Sequence, residues 1–380
     1  MFRAICSKKP SNLPKEPKMD YSYKLQRLRD RRQGLYSRDG TYNFAKALSS
    51  QRRSEKFESV SEPESVKYAL GSMQPVDDDY TRNTYAEGDR VRDRLSEGLS
   101  SPTVNIPVTF EYQGSVPLDV HVRGNSDIDL LVLHDGFVTV DQTARQHHAY
   151  SNYKGKPATD ELYDLRKESI NILERRYYGA KVDQSGSKSI KLSGGSLDRV
   201  VDVVPSHWHD TLAWKQTGEK SHRMVYVLDS HAGIRLENRP FMHIKRVKDK
   251  CITMRGTLRK VVRLLKNLRY DASPEINLSS YDITAIAWHM NEQELSVPFG
   301  MDLLLLDRTR LHLKYIIDND SYRSILRVPD DSRMIFDKSD KLKPTIQLHN
   351  ELDQLTQDVY KELDPLWNFY KRPYSQVLSK

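Results

Sequence analysis

Cys6 and Cys251 are the only sulfhydryls in a chain of 380 residues. A structural Cys₄ or Cys₃His zinc site therefore cannot be built within one chain. A disulfide scaffold is equally out of reach, which makes a reducing cytoplasm the expected setting. Long apolar runs are missing too. The longest aliphatic stretches, Leu130 to Leu133 and Leu303 to Leu306, fall far short of the ~20 residues of a membrane-spanning helix. The first residues, Met1 to Lys9, hold no apolar segment of signal-peptide length. There is no internal repeat.

What is present describes a globular protein, 37% hydrophobic and 29% charged, long enough for two packed lobes. A net charge of +8 favours polyanionic partners such as nucleotide phosphates, nucleic acid or acidic headgroups. Part of the excess lies in residues 1–60, in Lys8, Lys9, Arg27, Arg29, Arg31, Arg32, Arg52 and Arg53, and reads as a solvated face. That segment is a basic extension with a proline-bearing lead-in over residues 1–20, a short surface helix from Tyr21 to about Arg32, and a polar connection over 51–63.

A long helix is expected at about 80–98, with Val91, Leu95 and Leu99 at helical spacing and Asp77 to Asp79 as its acidic start. Strands follow at Val108 to Tyr112 and at Asp127 to Leu133, then a helix over 158–176. Lys188 to Leu192 and Arg199 to Val204 read as a strand pair around the Gly194-Gly195 turn, closed by Pro205. Beyond about 215 the pattern turns helical, at 240–269, 280–291, 298–317 and 344–369. The expected organisation is an extension over 1–60, a core over 61–215 and a helical domain over 216–380.

The chemistry concentrates in three places: Gly114-Ser115 after a strand, Asp127-Ile128-Asp129 at the start of the next, and Asp202 set among valines. Residues two apart on a strand share a face, so the two aspartates enter one site while Ile128 and Leu130 enter a core. Carboxylates this close raise each other's pKa unless a cation neutralises them. Mg²⁺ takes only one or two carboxylates per ion and fills its remaining positions with water and phosphate oxygens, and two such ions suit phosphoryl transfer. A glycine allows close backbone approach to a phosphate, and the Ser115 hydroxyl can donate to one. Asp198 competes with Asp202 on the same strand face, but Asp202, flanked by valines, is costlier to bury unpaired.

Gly-Ser, about a dozen residues, then Asp-x-Asp resembles the DNA polymerase β nucleotidyltransferase superfamily. Arg123-Gly-Asn-Ser-Asp-Ile-Asp-Leu130 and Val201-Asp-Val-Val-Pro205 are similar to the cGAS/DncV-like nucleotidyltransferases (CD-NTases), with further likeness at Val262 to Lys266 and Leu278 to Ile283. The resemblance covers about residues 70 to 290. It implies an α+β fold: a twisted mixed sheet with flanking helices packed on a C-terminal helical lobe of the oligoadenylate-synthetase and poly(A)-polymerase kind, the active site lying in the cleft between them. It further implies an enzyme of bacterial anti-phage (CBASS) signalling that condenses NTPs into a cyclic di- or trinucleotide and releases pyrophosphate. Its cofactor would be Mg²⁺, with Mn²⁺ as a substitute.

Carried over, Asp127, Asp129 and Asp202 are the metal ligands, and Asp202 doubles as base for the attacking hydroxyl. Gly114, Ser115, Lys266 and Ser280 hold the triphosphate, and Tyr281 stacks on a base. A downstream effector that recognises the product and accessory CBASS proteins are the implied partners; nucleic acid and membrane are not expected to be needed. The alternative is a template-independent nucleotidyltransferase acting on RNA ends or another acceptor. His207-Trp208-His209-Asp210, a metal-like cluster, reads as a loop after Pro205 because no further ligand lies near it.

Overall fold

The computed structural model describes residues 21–35, 55, 57–59, 61–367, 369 and 372–379. The lead-in over 1–20, Arg52 and Arg53, and most of the polar connection before residue 61 lie outside the described residues. None of the described helices is long and apolar enough to cross a membrane.

A seven-stranded mixed sheet forms the centre: β1 (Val108–Gln113), β2 (Ile128–Val140), β3 (Lys181–Asp183), β4 (Ile190–Ser193), β5 (Val201–Asp210), β6 (Met224–Asp229) and β7 (Ile234–Asn238). Its order is β1-β2-β5-β4-β3, and β6 also pairs with β5 and carries β7. Only the β2–β5 pair is parallel. The sheet therefore runs past residue 215, to Asn238.

Pro205 does not end β5. That strand leaves β4 after the Ile190–Val203 pair and meets β6 only at Ser206, so a residue without an N–H falls in the gap. The His207 to Asp210 segment is correspondingly not a loop but the buried end of β5.

Alternation sorts the sheet into two faces. Ile128, Leu130, Val132, Val201 and Val203 bury against two helices, α3 (Asp78–Leu99) and α4 (Ala158–Arg176), through Val91, Leu95, Leu162 and Leu165. Asp77 caps α3 by accepting the Tyr80 N–H at 2.6 Å, the structural role expected of it. On the opposite face Leu131, Leu133, Val204 and Trp208 pack on Phe241, leaving Asp127, Asp129 and Asp202 at the near end of that face.

The helical lobe comprises α1 (Tyr21–Arg32), α2 (Glu64–Met73), α5 (Pro240–Thr253), α6 (Thr257–Asp271), α7 (Ser280–Trp288), α8 (Leu304–Asp318) and α9 (Leu342–Leu363), with shorter helices between. The stretch expected as one helix over 240–269 breaks at Arg255 and Gly256, both with positive φ. The first helix is not a surface helix of a separate extension. Tyr21, Leu25 and Leu28 are buried in the core of the helical lobe alongside residues of α2 and α6.

Arg31, expected on a solvated face, is 5% exposed. It donates to both Asp271 carboxylate oxygens at 2.7 and 2.9 Å and to Asn267 at 2.8 Å, while the Tyr68 hydroxyl donates to the same carboxylate. Removing one partner of a buried pair strands the other. Arg31→Met is expected to lower unfolding free energy by about 3–5 kcal/mol, read by urea denaturation; a loss below about 1 kcal/mol would show that this network does not tie α1 to α6.

Candidate active site

The loop Gly114–Asp127 joins β1 to β2 and is held from the other lobe by one stripe of α6. Residues 259, 263, 266 and 270 recur at helical spacing and each donates to a loop carbonyl. Arg259 reaches Leu118 O (3.0 Å), Arg263 reaches Asp119 O (2.6 Å) and its carboxylate, Lys266 Nζ reaches Val120 O (2.8 Å), and the Tyr270 hydroxyl reaches Asn125 O (2.9 Å). Leu118 and Val120 insert into the helical core. The loop is thus anchored between its two ends, the candidate site residues Ser115 and Asp127.

Gly114 has φ +78°, and a Cβ there would overlap Asp129 Oδ2. This position needs glycine on two counts. Asp129 pairs in register with Asp202 across the parallel β2–β5 ladder, and Asp127 precedes the first residue of β2. Burial, then the charges of Asp202 and Asp127, push the Asp129 carboxyl up to about 7. Asp198 stands apart from this group, its backbone N–H donating to Glu87.

A cavity of about 520 Å³ lies between the lobes. Gly114, Ser115, Asp127 and Asp129 line one side, and Lys266, Ser280 and Tyr281 the other. Seven of the eight residues expected from sequence therefore share one cavity. Asp202 stands one strand further in, beside Asp129.

Lys266 differs from expectation in its engagement. It is 1% exposed, its ammonium donates to Val120 O and Ser126 Oγ, and burial followed by the Arg269 charge pushes its pKa down to about 7. Ser280 opens α7 and accepts from Arg269 at 3.3 Å, so the cavity meets a helix N-terminus, where N–H groups favour anions. The Tyr281 hydroxyl donates to Asp330 at 2.6 Å. Its ring stacks on His243 with centroids 4.4 Å apart.

Four cavity or neighbouring residues escaped the sequence reading: His243, Arg269, Tyr270 and Lys191. The first three lie on helices whose polar positions look like ordinary solvated ones. Lys191, on β4, comes within 3.8 Å of both Asp127 Oδ2 and Asp202 Oδ1.

Among the described residues no three acidic, histidine or cysteine side chains form a ready-made metal cage. The carboxylates nevertheless fit Mg²⁺, which needs few protein ligands, and the Lys191 ammonium between two of them is a stand-in cation. The His207 to Asp210 cluster has other business. The His207 ring bonds Trp208 O and Arg235, and His209 faces Asp141.

No protein-family model matches the chain. A cyclic dinucleotide synthase, CdnE, of Yersinia aleksiciae is 34% identical over 319 residues, covering 83% of this chain and 82% of that protein. A c-di-GMP synthase of a Lachnospiraceae bacterium is 28% identical, covering 87% of this chain and 99% of that protein. Among solved structures, the STING-associated CdnE c-di-GMP synthase of a Flavobacteriaceae species superposes with a TM-score of 0.71 at 24% identity, covering 90% of this chain and 99% of that one. This last likeness establishes the α+β nucleotidyltransferase fold.

A carboxyl whose folded pKa is raised contributes most to stability below its unfolded value near 3.8 and loses that contribution as pH rises through about 7. Asp129→Asn is therefore expected to raise the melting temperature of the metal-free protein at pH 8, with the gain shrinking as pH falls toward 4. The unsubstituted protein is expected to gain melting temperature on addition of Mg²⁺, and the same variant to lose that gain. Scanning fluorimetry at several pH values checks both; a variant less stable than the parent at pH 8 would contradict the burial and repulsion that raise this pKa.

Proposed function

The chain belongs to the CD-NTases, the cGAS/DncV-like nucleotidyltransferases, and from that premise we propose that it condenses two nucleoside triphosphates into a cyclic dinucleotide, with Mg²⁺ as cofactor. The observation that carries this is the register of Asp129 against Asp202, with Asp127 two residues upstream, at the edge of a cavity of nucleotide size. The names of the curated relatives support a two-nucleotide ring and make GTP the first substrate to try. A second protein that reads the cyclic product is the implied partner, accessory proteins of the same signalling system are further candidates, and the cytoplasm is the proposed site of action.

In this reading Asp127, Asp129 and Asp202 would hold the Mg²⁺. Bound Mg²⁺ supplies charge neutralisation at the reacting phosphates and lowers the pKa of the attacking hydroxyl. The chain's own groups do the rest. Ser115 Oγ donates to a terminal phosphate oxygen, with Gly114 allowing the backbone close. Ser280 at the start of α7, together with Lys266 and Arg269, adds positive potential around the triphosphate. Tyr281, braced by His243, offers its ring to a base, a contact worth roughly 1–3 kcal/mol in stacking sites.

Asp202 takes the proton of a ribose hydroxyl on the acceptor nucleotide. That oxygen bonds to the donor's α-phosphorus, the bond from this phosphorus to the bridging oxygen breaks, and pyrophosphate leaves. The linear product then turns so that its remaining triphosphate meets the same carboxylates. A second transfer closes the ring. Nothing observed favours the alternative, extension of RNA ends.

Purified protein incubated with NTPs and Mg²⁺, without nucleic acid, is expected to release pyrophosphate and yield a phosphatase-resistant product. Asp129→Asn and Asp202→Asn should each lower the rate roughly a hundredfold or more, about 2.7 kcal/mol of transition-state stabilisation. Gly114→Ala should do likewise while leaving the fold intact. No cyclic product, with elongation of added RNA instead, would overturn the reading.

A further inference from the structure

Lys191 is the antiparallel register partner of Asp202 on β4, and alternation puts it on the sheet face of the three carboxylates. Its ammonium lies 3.8 Å from Asp127 Oδ2 and 3.8 Å from Asp202 Oδ1. These equal separations bridge one carboxylate just ahead of β2 and one on β5. Both exceed hydrogen-bond length, so the contact is electrostatic and can be released without breaking a directional bond.

The side chain is 36% exposed and rises from next to the edge strand. A flexible four-carbon stem can swing such a charge into water at little cost. The register partner on the outer strand β3 is Asp183, a third carboxylate one strand, about 4.8 Å, away, already paired with Lys181 and accepting from Ser185. An ammonium leaving Asp127 and Asp202 therefore moves into solvent.

Resting on the metal reading above, we propose that Lys191 is a built-in counterion for the metal ligands. With no divalent ion bound, it neutralises Asp127 and Asp202 and keeps the carboxylates together against their mutual repulsion. An arriving divalent cation meets a like charge within about 4 Å, a range at which Coulomb energies at a protein surface are substantial, and the ammonium must give way. Lys191 thereby sets the divalent-ion concentration at which the site assembles. It acts through the ligands and is a positioning residue, not a group that touches the reacting phosphates.

Thermal stability of the full chain during MgCl₂ titration, without nucleotide, tests this independently of turnover. Lys191→Met and Lys191→Gln are each expected to lower the half-saturating Mg²⁺ concentration about tenfold and to reduce the metal-free melting temperature. Lys191→Arg, which keeps the charge, should restore both toward the parent values. Lys191→Gln preserves polarity and most of the length should the methionine variant fail to fold. A half-saturating concentration that is unchanged or raised in the neutral variants overturns the inference alone. Absence of any Mg²⁺ response in the parent protein overturns the metal reading and the inference with it.

Discussion

A single stripe of α6 determines where the chemistry can occur. Arg259, Arg263, Lys266 and Tyr270 donate to four carbonyls of the loop between Leu118 and Asn125. A loop of this length left to solvent would sample many conformations, each costing entropy to fix. Bound along one helix face, with Leu118 and Val120 buried in the helical core, it delivers Ser115 at one end and Asp127 at the other. The helix is itself braced from behind, where Asp271 and Asn267 receive Arg31 of α1. An element that looked like an appendage thus belongs to the support of the active site.

The second constraint is electrostatic. Three carboxylates converge on one end of one sheet face, and burial, then the charges of Asp202 and Asp127, raise the Asp129 pKa. A protein selected for stability alone would not keep it, because replacing any one of the acids by an amide would relieve the repulsion. Lys191 offsets part of the cost from β4, and Lys266 adds positive charge from the opposite lobe at the price of its own desolvation.

The sequence made the carboxylates legible because strand alternation needs only local information: Asp127 and Asp129 two apart, Asp202 among valines. Asp77 as a helix cap was readable on the same ground. What escaped depended on register and on contacts distant in sequence. Pro205 looked like a terminator because the switch of partners from β4 to β6 is invisible without the sheet. β6 and β7 were missed as strands for the same reason. Lys191 acquires meaning only once β4 is set against β5. His243 is one polar residue on a helix until its ring is seen against Tyr281. Lys266 was found by resemblance, but its burial and its hold on Val120 O come only from the packing of two lobes.

The central claim is that Asp127, Asp129 and Asp202 bind the divalent ions that serve a triphosphate in the inter-lobe cavity. The most direct measurement is a crystal structure with Mn²⁺ and a non-hydrolysable GTP analogue, the metal located by anomalous scattering. The account predicts anomalous peaks in contact with Asp127 and Asp129, with the triphosphate between them and Ser115. Peaks elsewhere, or a nucleotide bound outside this cavity, would contradict it.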